Sequence, residues 1–331
     1  MQNAVVVSDD KYGTVAKLSV LDRLMDTGQE YQYLLESKDR GVMRDKLKIR
    51  KFSKRVNRIN NMLHRYHPEY ILCVTPYAHH CAVEAKKKIR FTTKIIYVMM
   101  SFSMPKRGVD ETTDTFIVEN QDIKTALVRT GIPAKDIVTL GLPIDIKRKS
   151  ESEIVLAKKE LGLPSTKTAF VSISDKEGLE NVFSLLLDQG NIASLVVKCE
   201  NAKLRESLSF EARRVPDVNI IFVASSEKLD DFLAVSDVAI ASYDSATIYK
   251  CMKLGVPCIV YSEDEHLDED IGYLASHELI ARAKQDIEVV GLYYKLLQTD
   301  LAAKIAQNGI KRTENSTFEN IVNFLITYIN V

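Results

Sequence analysis

Several absences narrow what this chain can be. Its 331 residues contain no apolar run of about 18, so no membrane-spanning helix is expected. It has no charge excess: 45 Lys plus Arg stand against 45 Asp plus Glu, which gives no general attraction for a polyanion, and no nucleic-acid partner is expected. Its 5 cysteines, at 73, 81, 199, 251 and 258, are an odd number without zinc spacing. Cys73, Cys199 and Cys258 sit in apolar, strand-like contexts, as reduced and buried thiols do, and no metal site is expected. There is no short-period repeat and no low-complexity tract. The opening Met1 to Val7 enters a strand without the basic-then-apolar order of a signal peptide, so a cytoplasmic location is expected. Finally, the turn Tyr243-Asp244-Ser245 has no glycine, although it joins a strand to a helix.

What is present is alternation. Short apolar runs such as Tyr70–Val74, Lys94–Val98, Thr115–Val118 and Val238–Ile240 alternate with helical segments, and a final strand is expected at Leu279–Ala281. Several runs are continuously apolar, as parallel strands buried on both faces are. Strand–helix alternation implies right-handed crossovers and a doubly wound α/β sheet. The pattern restarts after Gly141-Leu142-Pro143. The expected layout is therefore a first domain over 1–145, a polar linker over 146–153, a second domain over 154–315 and a terminal helix over 316–331. Each domain should carry about 6 strands. Ser316-x-x-Glu319 reads as the capping box of the terminal helix.

Chemistry-bearing residues fall at expected strand ends, where ligands bind in open parallel sheets. His79 and His80 follow the Tyr70–Val74 strand; a base toward an acceptor hydroxyl, a ligand contact and a plain surface position are all open readings. Ser245 and Thr247 stand at a helix start, where N–H groups and a hydroxyl suit a phosphate. Asp244 would bring negative charge toward that ligand. Lys250 either pairs with Asp244 or lies on a solvated helix face. The acidic residues Glu263 to Asp270 around His266 read best as a solvated loop. The stretch Arg44 to Arg58 carries 8 Lys or Arg interleaved with Leu47, Ile49, Phe52 and Val56. It is either a domain helix with a charged outer face or a surface for anionic membrane.

Three segments carry a resemblance. They are DTFIVENQDIKTALVRTGIPAKDIVTLGLPID over 114–145, VVKCENAKL over 196–204, and the stretch over 235–257 with Ser236-Asp237, Thr247 and Pro257. In that order and spacing they resemble the monogalactosyl- and glucosyl-diacylglycerol synthases and the MurG-type transferases. The resemblance covers about 70–331 well and 1–69 weakly. It implies a GT-B fold, two doubly wound parallel-sheet Rossmann-like domains facing a cleft, with a terminal helix that crosses back to the first domain. It implies a UDP-sugar co-substrate, no further cofactor, and transfer to a lipid or envelope-type acceptor at the inner membrane face. Gly13, Ser174, Asn201, Ser245, Thr247, Lys250 and His266 are the positions it assigns to the nucleotide sugar. The departures cluster at the same place: Asp244-Ser245 replaces a glycine pair, Lys250 replaces a ribose-binding Glu, and MMSFSM over 99–104 lacks a carboxylate. An ammonium can only donate hydrogen bonds, so Lys250 cannot repeat a carboxylate's contact. Two alternatives stand beside transfer: an inactive GT-B relative that binds or scaffolds, and a sugar-nucleotide epimerase-like enzyme.

Overall fold

In the computed structural model, residues 4–8, 31–35, 45–89, 92–104, 109–188, 192, 194–224, 228–263 and 268–330 are described, and up to residue 55 only their backbone is. Two parallel six-stranded sheets account for all the strands among them. The first contains β1 (Ala4–Ser8), β2 (Tyr31–Leu35), β3 (Tyr70–Cys73), β4 (Lys94–Val98), β5 (Thr115–Val118) and β6 (Ile137–Thr139). Its order is β2-β1-β3-β4-β5-β6, with Val6 opposite Tyr33 on one side and Leu72 on the other. The second contains β7 (Thr168–Ser172), β8 (Ser194–Lys198), β9 (Asn219–Val223), β10 (Val238–Ser242), β11 (Cys258–Tyr261) and β12 (Ala281–Ala283), in the order β12-β11-β10-β7-β8-β9. Ile240 pairs with Val171 and Ile259.

The helices are α1 (Asp45–Tyr66), α2 (Pro76–Ile89), α3 (Gln121–Arg129), α4 (Glu151–Glu160), α5 (Lys176–Asp188), α6 (Ala202–Ala212), α7 (Leu229–Ala234), α8 (Ser245–Leu254), α9 (Asp268–Ser276), α10 (Asp286–Gln298), α11 (Leu301–Thr313) and α12 (Phe318–Asn330). The chain forms two compact units, one of 1–145 with 315–331 and one of 146–314. The polypeptide thus passes between units twice. Each unit is a doubly wound parallel-sheet domain.

In the first unit the strand period of two decides the partners of each face. Ile71 and Cys73 point to one layer with Val56, Ile59 and Leu63 of α1, Ala78 and Ala82 of α2, and Ile123 and Leu127 of α3. Tyr70 and Leu72 point to the other, where Phe318, Ile321, Val322 and Leu325 of α12 cover them. Each such side chain contributes roughly 1.5–3 kcal/mol on burial. The Tyr70 hydroxyl donates to the Tyr328 carbonyl at 3.1 Å, and Lys94 lies over both rings at 5.6 and 5.5 Å. All five cysteines are buried free thiols.

Three local readings change, and a fourth gains detail. The polar stretch read as linker ends inside α4, whose capping box is Ser150 with Glu153. At α12 the Asn320 N–H donates to Thr317 Oγ1, so Thr317 caps the helix start rather than Ser316. β12 begins at Ala281; Leu279 and Ile280 are buried in the turn before it. In α1, Val56, Ile59 and Leu63 form the inward face of a core helix. The side chains of residues 44–55, which carry most of its basic groups, lie outside the described residues.

Candidate functional site

In the second sheet the chain order reverses between β7 and β10, and in such sheets the crevice beyond those carboxyl ends is the ligand position. The two loops there are stitched together: the Ser174 N–H donates to Ser242 Oγ at 3.0 Å. Helix α8 starts at this point. Its cap is Asp244, in extended backbone geometry, and the Asp244 carboxylate accepts from the Thr247 N–H at 2.9 Å and from Thr247 Oγ1 at 2.6 Å. The neighbouring helices are closed in the same way. Asp175 accepts from the Gly178 N–H at 2.7 Å at the start of α5. Asn201 accepts from the Lys203 and Leu204 N–H groups at 3.0 and 3.1 Å at the start of α6.

The first N–H groups of a helix have no partner within it and are what an anion would use. Here the protein's own side chains take one of them in α8, one in α5 and two in α6. The sequence placed Asp244 as a charge near the ligand; its carboxylate in fact occupies the donors of Thr247. Asn201 and Thr247 are likewise engaged in capping, Ser245 is the first residue of α8, and Ser174 contributes a backbone donor to its neighbour loop.

Lys250 follows neither reading given to it. Its side chain is 13% exposed and its ammonium reaches both oxygens of Asp230 in α7, at 2.6 and 2.7 Å. Of the acidic segment after β11, 264–267 lie outside the described residues, and its two ends, Glu263 and Asp270, are engaged. The Tyr243 hydroxyl donates to the Asp270 carboxylate, and the Tyr261 hydroxyl donates to Glu263 at 2.8 Å. Burial, and then the adjacent carboxylates, push both phenols far above their ordinary value, so both stay protonated donors. Gly178 lets the Tyr261 ring approach α5: a Cβ there would lie 2.8 Å from Tyr261 Cε1. Gly13 and His266 lie outside the described residues. Among the described residues no group of three or more His, Cys, Asp or Glu could hold a metal ion.

In the first unit the two histidines are in the first turns of α2, which opens on Pro76 at a position that needs no N–H donor. His79 is fully buried. Its ring stacks on Tyr97 at 4.2 Å between centroids, and Nε2 lies 2.6 Å from Thr113 Oγ1. That is the environment of a core histidine, closed to an acceptor. His80, one residue on, is exposed.

Two residues were missed by sequence reasoning. Glu119 and Asn120, at the carboxyl end of β5, are both 4% exposed. Asn120 caps α3 through the Ile123 N–H at 2.8 Å and donates to the Phe102 carbonyl at 2.9 Å and to Glu119 at 2.5 Å. The loop over 99–104 is therefore tied through its Phe102 carbonyl to the Asn120 amide, which also donates to the Glu119 carboxylate. The available signal was a polar Glu-Asn pair closing an apolar strand just before a helix.

Comparison with known proteins gives three findings. Residues 8–144 match the family model for monogalactosyldiacylglycerol (MGDG) synthase. A processive diacylglycerol beta-glucosyltransferase of Bacillus pumilus (strain SAFR-032) is 28% identical over 228 residues, covering 65% of this chain and 58% of the relative. Two solved structures share the fold end to end. An S. aureus MnaA–UDP co-structure has a TM-score of 0.70 at 14% identity, with 100% of this chain and 97% of that chain covered. Acinetobacter baumannii MurG has a TM-score of 0.68 at 10% identity, covering 99% and 100%.

Proposed function

We infer, from a chain that has the GT-B fold and is similar to the MGDG synthase and MurG type of transferase, that it transfers a hexose from a UDP-sugar to a lipid or envelope-type acceptor. The observation that carries this reading is the match over residues 8–144, which runs through most of the first unit. The chain spans only 58% of the Bacillus pumilus relative, so acceptor and sugar are part of the proposal.

The residues divide the work as follows. His80, exposed on α2, takes the proton of the acceptor hydroxyl. The acceptor oxygen then displaces the nucleoside diphosphate at the anomeric carbon. The start of α8 receives the departing diphosphate through the Thr247 N–H and hydroxyl once Asp244 has swung aside. No helix among the described residues is long and apolar enough to cross a membrane. Work on a lipid acceptor would then proceed from the cytoplasmic membrane surface, and Arg44–Arg58 supplies a basic segment for it.

A second reading is favoured by one specific feature. Asp244 and Lys250 both have internal partners, which is how a retained fold without transfer activity would settle. The test is incubation with radiolabelled UDP-glucose or UDP-galactose and diacylglycerol vesicles, followed by organic extraction. Label in the lipid phase supports transfer. UDP binding without label supports the binding module, and neither label nor UDP binding overturns both.

A further inference from the structure

Helix α8 is fastened at both ends, and the fastenings are of different kinds. Its first turn is closed by Asp244 at the end of β10. Its last turn ends at Gly255, in the left-handed conformation at φ 72°. A Cβ on Gly255 would lie 2.7 Å from Ile310 Cδ1 and 3.9 Å from Arg148 Cζ. Gly309 meets the same helix one turn back, where an added Cβ would be 2.9 Å from the Met252 Cα. Ile310 and Gly309 belong to α11, which leads the chain out of the second unit at residue 314, and Arg148 belongs to the segment that leads it in at residue 146. Both passages between units are therefore seated on the last turn of α8.

A third tie runs through α7. Its adjacent residues Asp230 and Asp231 face different partners: Asp230 holds Lys250 of α8, and Asp231 lies 3.6 Å from Lys149 of the entering segment. Buried residues line most of α8, among them Ile248, Tyr249, Cys251 and Met252. A helix of 10 residues spans about 15 Å and moves as one piece.

We propose that α8 is a coupling element. The Thr247 donors have two possible partners, the Asp244 carboxylate and a bound anion, and the exchange between them is transmitted along the helix to the entering segment at 146–149 and the leaving segment at 309–313. The argument is geometric: one helix, a first turn whose donors are held by a carboxylate that an anion would have to displace, and both chain passages packed at the other end. The proposal rests on the proposed function only for the identity of the anion.

The test uses the full chain without ligand first. Asp244→Ala removes the carboxylate; hydrogen exchange is followed in peptides covering 305–313, and trypsin cleavage is followed at Lys147, Arg148 and Lys149. Both rates should rise about fivefold, the scale of a lost helix cap. Asn201→Ala removes the corresponding cap of α6 and should leave both rates unchanged. Gly309→Ala runs the device backwards, by pushing α11 from Met252, and should speed exchange at Ser245–Ile248. Unchanged rates in Asp244→Ala, or equal acceleration in Asn201→Ala, overturn the coupling. UDP is then added to the wild type with calorimetry alongside. Binding with slower exchange at 305–313 supports the coupling, and binding without it overturns it. Absence of UDP binding overturns the functional reading alone, because the unliganded variants still decide the coupling.

Discussion

Replacing Asp244 with glycine should weaken the fold and strengthen nucleotide binding at once. The carboxylate accepts two hydrogen bonds from Thr247, at 2.9 and 2.6 Å. A hydrogen bond to a charged group contributes about 1.5–3 kcal/mol, and glycine at a cap position is only a few tenths of a kcal/mol worse than a good capping residue. Folding stability should therefore fall by less than about 1 kcal/mol. A diphosphate that binds the wild type must first displace the carboxylate, which removes at least one such bond and leaves like charges close together. Relief of about 1.5 to 3 kcal/mol corresponds to roughly ten- to hundredfold tighter UDP binding. Asp244→Asn keeps a cap without its charge and should fall between. Isothermal titration calorimetry with UDP, paired with urea unfolding of the same samples, measures both quantities. Weaker or unchanged UDP affinity in Asp244→Gly would refute the reading of Asp244 as an internal competitor, and would mean that the carboxylate takes part in holding the ligand.

Three further outcomes are expected. Asp237 accepts from the Thr168 N–H, Lys167 and Lys158, and Lys158 is only 10% exposed on its side chain, so Asp237→Asn should cost about 2–4 kcal/mol in urea unfolding at pH 7. Burial pushes the Asp237 carboxyl up, but these donors outweigh it and hold it below the ordinary value. The wild-type advantage should therefore be complete above the unfolded pKa of about 3.9 and be lost as pH falls through the lowered folded value; an advantage that grows as pH falls below about 3.9 would contradict the assignment. Gly178→Ala places a methyl against Tyr261 and should cost about 1–3 kcal/mol by thermal melting, with Tyr261→Ala relieving the clash. His79→Ala should destabilise by about 2–4 kcal/mol. His80→Ala should stay within about 0.5 kcal/mol while lowering lipid labelling by about 10²–10⁴-fold; the reverse pattern would exchange their roles.

Much of the fold was legible because buried parallel strands are continuous apolar runs. Val238–Ile240 and Lys94–Val98 could hardly be read otherwise, and the two doubly wound sheets follow from alternation alone. β12 was misplaced because burial was mistaken for pairing: Leu279 and Ile280 are core residues of a turn, whereas the strand itself contains Arg282. The site was less legible because its ties are long-range or local in a way that composition hides. Nothing near Lys250 in sequence points to Asp230, 20 residues earlier. Asp244 reads as a hostile charge until the helix it caps is in view. His79 could have been told from His80, since Ala78, Ala82 and Val83 mark the inward face of α2 and His79 lies within it.

The first unit takes its last helix from beyond the second, and this sets an order of manufacture. Residues 146–314 are contiguous and can close on themselves as soon as they leave the ribosome. Among the described residues the helix that covers Tyr70, Leu72, Val98 and Ile117 of the first sheet is α12, and its Phe318, Ile321 and Leu325 arrive after all of the second unit has been translated. During that interval these strand residues lack the apolar partners that α12 supplies, and unpartnered apolar side chains are suited to chaperone capture and to premature stickiness.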